Sequence, residues 1–284
     1  MPTCTHAYLT KCKTNPQPPG LGDFLRGTVA LFYFAEACGF ELKIDYNSHP
    51  IFSFLKFGDH YTVNNKDTEI HECICPLSYS DIIYNLRALF QRNTSFSVLT
   101  NSFYATNNLG EFLAFAELSD TCKQFMRKLL TPSDMIERVL SHVYEDLGVK
   151  DYKVIHLRLG DVFIHDDVYD ENAATKIADK FKRLITITDK YKYVLLTDSA
   201  SIGRRISKIC PQIAYWDNNK IHTGDLRSKA THGLRDTVID MVIMSRANEI
   251  LSCNLSSFCN IPAFAFDVPI KKLFMEPEWD LSRI

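Results

Sequence analysis

Residues Gly20 to Asp45 read GLGDFLRGTVALFYFAEACGFELKID, and this stretch decides the fold class. Phe24, Leu25, Val29, Phe32, Ala35 and Cys38 recur at helical spacing, and Gly39 is placed to end that helix. Leu42 and Ile44 then alternate with charged neighbours in a strand that ends at Asp45. Upstream, Ala7 to Lys11 reads as a strand, and Asn15 to Gly22 as a loop rich in proline and glycine. Strand, glycine loop, helix and strand make up half of a doubly wound sheet.

The same cycle restarts further on. Tyr152 to Leu157 is a β-rich run, Ala173 to Leu184 is helical, and Tyr193 to Thr197 is a buried strand leading into Asp198-Ser-Ala-Ser. Ile213 to Trp216 is a short strand, Thr237 to Ala247 a strongly apolar helix and Glu249 to Cys253 another strand. Ser256 to Ala265 opens a helix despite Pro262, and residues 268–284 are charged and irregular. Between the two cycles, Ser80 to Gln91 and Gly110 to Leu130 look helical and Ser95 to Thr100 extended. Thr131-Pro132 looks like the cap and first turn of a helix that Gly148 stops. The parse is two α/β domains, 1–148 and 149–284.

Composition bounds the function. The 284 residues are 46% apolar and 23% charged, with 32 Lys+Arg against 34 Asp+Glu. That is ample for a core, and it carries neither the basic footprint of a nucleic-acid binder nor the cationic face of a membrane-surface helix. Any phosphate must be held by a few placed cations and backbone amides. The longest apolar stretch, Thr28 to Phe34, is far too short to span a bilayer, so the expectation is a soluble, intracellular product without a transmembrane segment; a chain trimmed of its anchor reads the same way. The 9 cysteines are odd in number, and several sit in apolar runs, which fits buried, reduced thiols. His71, Cys73 and Cys75 invite a metal reading, but no second pair at zinc spacing completes a four-ligand set.

Three features could carry chemistry, each at the end of a predicted strand, where doubly wound sheets place their ligand crevice. In Gly20-Leu-Gly22-Asp23-Phe-Leu-Arg26, glycines ahead of a helix allow close approach of a ligand, and free amides at the helix start suit a phosphate; the plain alternative is a tight connection. In His156-Leu157-Arg158-Leu159-Gly160-Asp161, alternation puts His156 and Arg158 on one face. An arginine there needs an anion or a carboxylate, so Arg158 is either a fork for phosphate or half of an ion pair with Asp161 or a neighbour. Asp240, alone within Val-Ile-Asp-Met-Val-Ile, must find donors; guanine offers two that one carboxylate accepts together. Ser256 and Ser257 follow the next strand and open a helix, as phosphate ligands or as simple caps.

Together these motifs resemble the GT-B fucosyltransferases, which include the α1,6-enzymes acting on N-glycan cores and nodulation chitin oligosaccharides, with protein O-fucosyltransferases and α1,2-enzymes as distant relatives. Gly20 to Arg26 with Leu42-Lys-Ile-Asp45 resembles the opening of the nodulation enzyme. His156-Leu-Arg158 is similar to the family's His-x-Arg motif, and Asp240 to Ser245 through Ser256-Ser257 to its third motif. The resemblance covers about the first 45 residues and then 152–266, leaving 47–150 silent.

The resemblance implies two Rossmann-like domains facing a cleft. The GDP-sugar donor would sit mainly on the C-terminal one and the acceptor on the N-terminal one. It implies an inverting, metal-independent transfer of fucose from GDP-fucose to a glycan hydroxyl, without a cofactor. Arg158 would hold the β-phosphate and stabilise the charge that grows on GDP, which this chemistry requires. His156 and Asp240 would contact the guanosine, while Ser256 or Ser257 and the amides around Gly20 and Gly22 would complete the cradle. Asp166 falls at the family's distance for the base that takes the acceptor's proton, with Asp167 and Asp161 as competitors and a solvated acidic loop as the alternative. The chain departs from the core N-glycan enzymes at Leu159 and Val162, where those carry arginine and lysine, which leaves another nucleotide sugar open. A glycan- or nucleotide-binding module without catalysis is the other alternative.

Overall fold

The computed structural model describes residues 3–8, 20–56, 69–72, 88, 95–100, 118–160, 171–184, 191–218, 231–253 and 256–273. The chain divides into two compact units, Met1–Ser133 with Thr223–Lys229, and Asp134–His222 with Ala230–Ile284.

The first unit holds a four-stranded, wholly parallel sheet. Its strands are β1 (Thr3–Tyr8), β2 (Glu41–Asp45), β3 (Glu69–Glu72) and β4 (Ser95–Thr100), in the order β2-β1-β4-β3. Helix α1 (Leu21–Cys38) joins β1 to β2 and ends as expected at Gly39, whose φ of 77° is the left-handed conformation that glycine adopts without penalty. α1 lies on the sheet through Phe24, which stacks on the His6 ring of β1 at 4.3 Å. Helix α2 (Asp120–Leu129), capped by Ser119, packs against α1 through Phe125 and Phe32.

Two expectations change in this unit. β1 starts at Thr3, ahead of the predicted Ala7, and the buried Thr5 and His6 belong to it although both are polar. Thr131 does not cap the next helix. Its hydroxyl donates to the Arg127 carbonyl, and residues 131–133 run antiparallel to 54–56, with Lys56 N to Thr131 O at 2.7 Å and Ser133 N to Phe54 O at 2.9 Å. Backbone pairing outweighs the local capping preference, so helix α3 (Asp134–Leu147) starts later and clusters with the second unit. The predicted helix at Ser80 to Gln91 lies almost wholly outside the described residues, as does the first part of the one at Gly110 to Leu130.

The second unit carries a five-stranded parallel sheet. Its strands are β5 (Tyr152–Leu157), β6 (Lys192–Thr197), β7 (Ile213–Tyr215), β8 (Ile250–Ser252) and β9 (Ile270–Lys272), in the order β7-β6-β5-β8-β9. β5 and β6 are buried on both faces, as strands of a parallel sheet covered from both sides are. On one face, Ile155, Leu157 and Leu195 pack with Phe181 of helix α4 (Glu171–Leu184) and Ile202 and Ile206 of helix α5 (Ala200–Ile209). On the other lie helix α6 (Thr231–Ser245) and helix α7 (Ser257–Ala265): the Tyr152 hydroxyl donates to Ile243 O of α6, and His156 sits beside Phe258 of α7. α6 begins well before its predicted start at Thr237, and α7 runs through Pro262 as expected. β9 lies in the stretch expected to be irregular, and it forms because Ile270 to Lys272 pair in parallel with β8.

Candidate functional site

In the order β7-β6-β5-β8-β9, chain progression reverses between β5 and β8, so the carboxyl ends of these two strands form the switch point where doubly wound sheets hold ligands. Arg158 follows β5 directly, and Ser256 follows β8 as the cap of α7. Two motifs far apart in sequence therefore meet at one edge of one sheet.

Arg158 lies in a turn that Asp198 holds. Asp198 follows β6, is buried, and its two carboxylate oxygens accept from the amides of Leu159 and Gly160, both at 2.8 Å. Gly160 has a φ of 123°, a conformation that side chains resist, which explains glycine at this point of the motif. The Arg158 Nε lies 3.5 Å from Asp198 Oδ2. The ion pair raised as the structural alternative is thus present, with Asp198 as partner. It is looser than the two amide bonds, and the Arg158 side chain remains 33% exposed. Burial pushes the Asp198 carboxyl above the usual carboxylate range, against the pull of the two amides and Arg158.

His156 lies in β5, buried, with its ring 6.0 Å from that of Phe258 in the first turn of α7, while Cys253 N donates to its carbonyl. Ser256 Oγ accepts from Phe258 N at 3.2 Å, so it caps the helix; Ser257 is the first helical residue. Asp240 is buried on α6 and accepts from Asn218 Nδ2 at 3.0 Å. One turn earlier on α6, buried Asp236 is bonded by Arg235.

The glycines of the first motif belong to the other unit. Gly20 caps α1 in extended geometry (φ −65°), and Gly22 is buried inside the first turn, so neither uses a conformation reserved for glycine. Arg26, on the same helix, is half-buried, and burial pulls its guanidinium below the usual range, against the opposing effect of Asp23. Asp161, Asp166 and Asp167 lie outside the described residues, as do His71's neighbours Cys73 and Cys75. The described cysteines 38, 122, 210, 253 and 259 are free thiols, and among the described residues no group of His, Cys, Asp and Glu is arranged to hold a metal. No described helix is long and apolar enough to cross a membrane.

Asp198 and Asn218 were not singled out from sequence. Asp198 had a signal, since it ends a buried apolar strand just as Arg158 does. Asn218, just beyond a short strand, had none.

Two parallel sheets with connecting helices define a mixed α/β fold, and the second sheet carries a cation and a helix start at its switch point. The chain is similar in structure to NodZ fucosyltransferase from Bradyrhizobium, with a TM-score of 0.56 at 15% identity, over 96% of this chain and 95% of that one. It is also similar to a point mutant of Arabidopsis thaliana FUT1 in complex with GDP (TM-score 0.58, 10% identity, 95% and 69% covered) and to POFUT1 in complex with GDP-fucose (0.53, 12%, 95% and 97%). No protein-family model and no curated protein sequence matches the chain, so the likeness is one of fold.

Proposed function

We propose that the protein is a fucosyltransferase that moves fucose from GDP-fucose to a hydroxyl of a glycan acceptor, with inversion and without a metal. The observation that carries this reading is Arg158: a partly exposed cationic side chain at the switch point of the second sheet, in a turn held by Asp198, on a fold whose solved neighbours include complexes with GDP and GDP-fucose.

In this mechanism the donor nucleotide sits on the second unit. The diphosphate lies against Arg158 and the start of α7 at Ser256 and Ser257, and the guanosine lies toward His156 and Asp240. The acceptor oxygen attacks the anomeric carbon as the bond from that carbon to the phosphate oxygen breaks. GDP leaves with the extra negative charge, and Arg158 neutralises it. The acceptor's proton goes to a carboxylate, for which Asp166 is the nominee. The acceptor belongs to the first unit, and the setting is the soluble interior of the cell. Asp198 is a positioning residue, since it holds the backbone on which Arg158 is mounted.

Titration calorimetry with GDP tests the reading. Arg158→Ala should abolish affinity while the fold, followed by circular dichroism, persists. Unchanged affinity would refute the phosphate role.

A further inference from the structure

We infer that Asn218 reads the base of the bound nucleotide, its side-chain oxygen accepting a hydrogen from the 2-amino group of guanine. This rests on the nucleoside-diphosphate reading above and adds to it the residue that selects the base.

Asn218 is 8% exposed and Asp240 7%. The amide nitrogen of Asn218 donates to Asp240 Oδ1 at 3.0 Å. A carboxylate offers only acceptors, so the amide must turn its NH2 toward Asp240, and that choice fixes where its oxygen points. That oxygen is enclosed by protein and accepts no hydrogen bond among the described residues. Buried carbonyl oxygens are nearly always satisfied, and an orphan calls for a further donor. Asn218 lies shortly beyond the end of β7, on the carboxyl edge of the sheet that also carries Arg158 and the start of α7. A diphosphate at that edge leaves its base within the same rim of strand ends.

The acceptor pattern selects among bases. Guanine presents two neighbouring donors, its ring N–H and its amino group, and the hydrogen-bonded Asp240 carboxylate and Asn218 amide offer an acceptor each. Adenine places a ring acceptor next to its amino donor, which would set a lone pair against one of the two oxygens. Hypoxanthine keeps the ring N–H of guanine and lacks only the amino group, so it isolates the contact assigned to Asn218.

The test is calorimetric titration of the full chain with GDP and with inosine diphosphate, for wild type, Asn218→Ser and Asn218→Ala. Wild type should bind GDP about tenfold more tightly, the worth of one buried hydrogen bond whose loss leaves an acceptor orphaned. In the variants the two nucleotides should bind alike. A wild-type ratio near one overturns the inference, as does a tenfold ratio that survives in variants with cooperative melting. Should one variant fail to fold, the other is read in its place, since the Asp240 carboxylate could by itself give wild type a preference for GDP. If neither nucleotide binds wild type, the nucleoside-diphosphate reading itself falls, and this assignment with it.

Discussion

Replacing Asp198 with alanine removes the acceptor of two amide hydrogen bonds, from Leu159 and Gly160, each 2.8 Å long. A hydrogen bond to a charged group contributes about 1.5–3 kcal/mol. Two offsets reduce the sum. The buried carboxylate costs desolvation free energy, visible in its raised pKa, and the two amides lie in a part-buried turn that water can reach once the side chain is gone. The expected net loss is about 2–4 kcal/mol. Asp198→Asn keeps one oxygen but turns an NH2 toward an amide that also donates, so its loss should be about half as large. Urea unfolding with an unchanged m-value measures both. At temperatures where both variants are folded, GDP affinity should fall as well, because the turn that carries Arg158 loses its anchor. A loss under about 1 kcal/mol for alanine, or equal effects of alanine and asparagine, would refute the view that this carboxylate holds the turn.

The buried His6, its Nδ1 3.1 Å from the Thr28 hydroxyl, has its pKa lowered by burial to about 3. Above pH 6.5 both folded and unfolded chains are neutral at this residue; below it only the unfolded chain takes up the proton, so stability should fall by about 1.4 kcal/mol per pH unit until pH nears 3. Unfolding curves of wild type and His6→Gln across this window should differ by that slope, and parallel curves would count against it. Ser256→Ala should cost about 1 kcal/mol by removing the cap of α7, with Ser256→Gly recovering most of it in thermal melts. The Asp166→Asn, Asp167→Asn double variant should lose turnover while keeping GDP affinity; turnover like that of wild type would remove both acids as the base.

Much of the architecture was legible because periodicity reports which face of an element is buried. The helical spacing from Phe24 to Cys38 is α1, and Gly39 ends it in the conformation for which glycine is chosen. The β-rich run at Tyr152 to Leu157 and the apolar run at Tyr193 to Thr197 are β5 and β6, covered on both sides. Ser256 caps α7 as the serine-rich step ahead of an apolar run implied. Failures came where a distant segment outweighed a local preference. Thr131 and Pro132 have every feature of a helix start, yet residues 54–56 pair with them. Ile270 to Lys272 lack a strand pattern of their own and become β9 because the edge of β8 is there to pair with.

At the site the division is the same. Sequence alone determined that an arginine follows a buried strand, that an acid is enclosed in an apolar helix, and that hydroxyls open the next helix; each follows from spacing within one short segment. Only the tertiary structure decided who meets whom: Asp198 reaches back 38 residues to Gly160, and Asn218 reaches 22 forward to Asp240. Those partnerships depend on the lateral order of strands, which brings β6 beside β5 and sets the exit of β7 against α6. Local periodicity encodes burial, and strand order, which comes from packing the whole sheet, encodes contact.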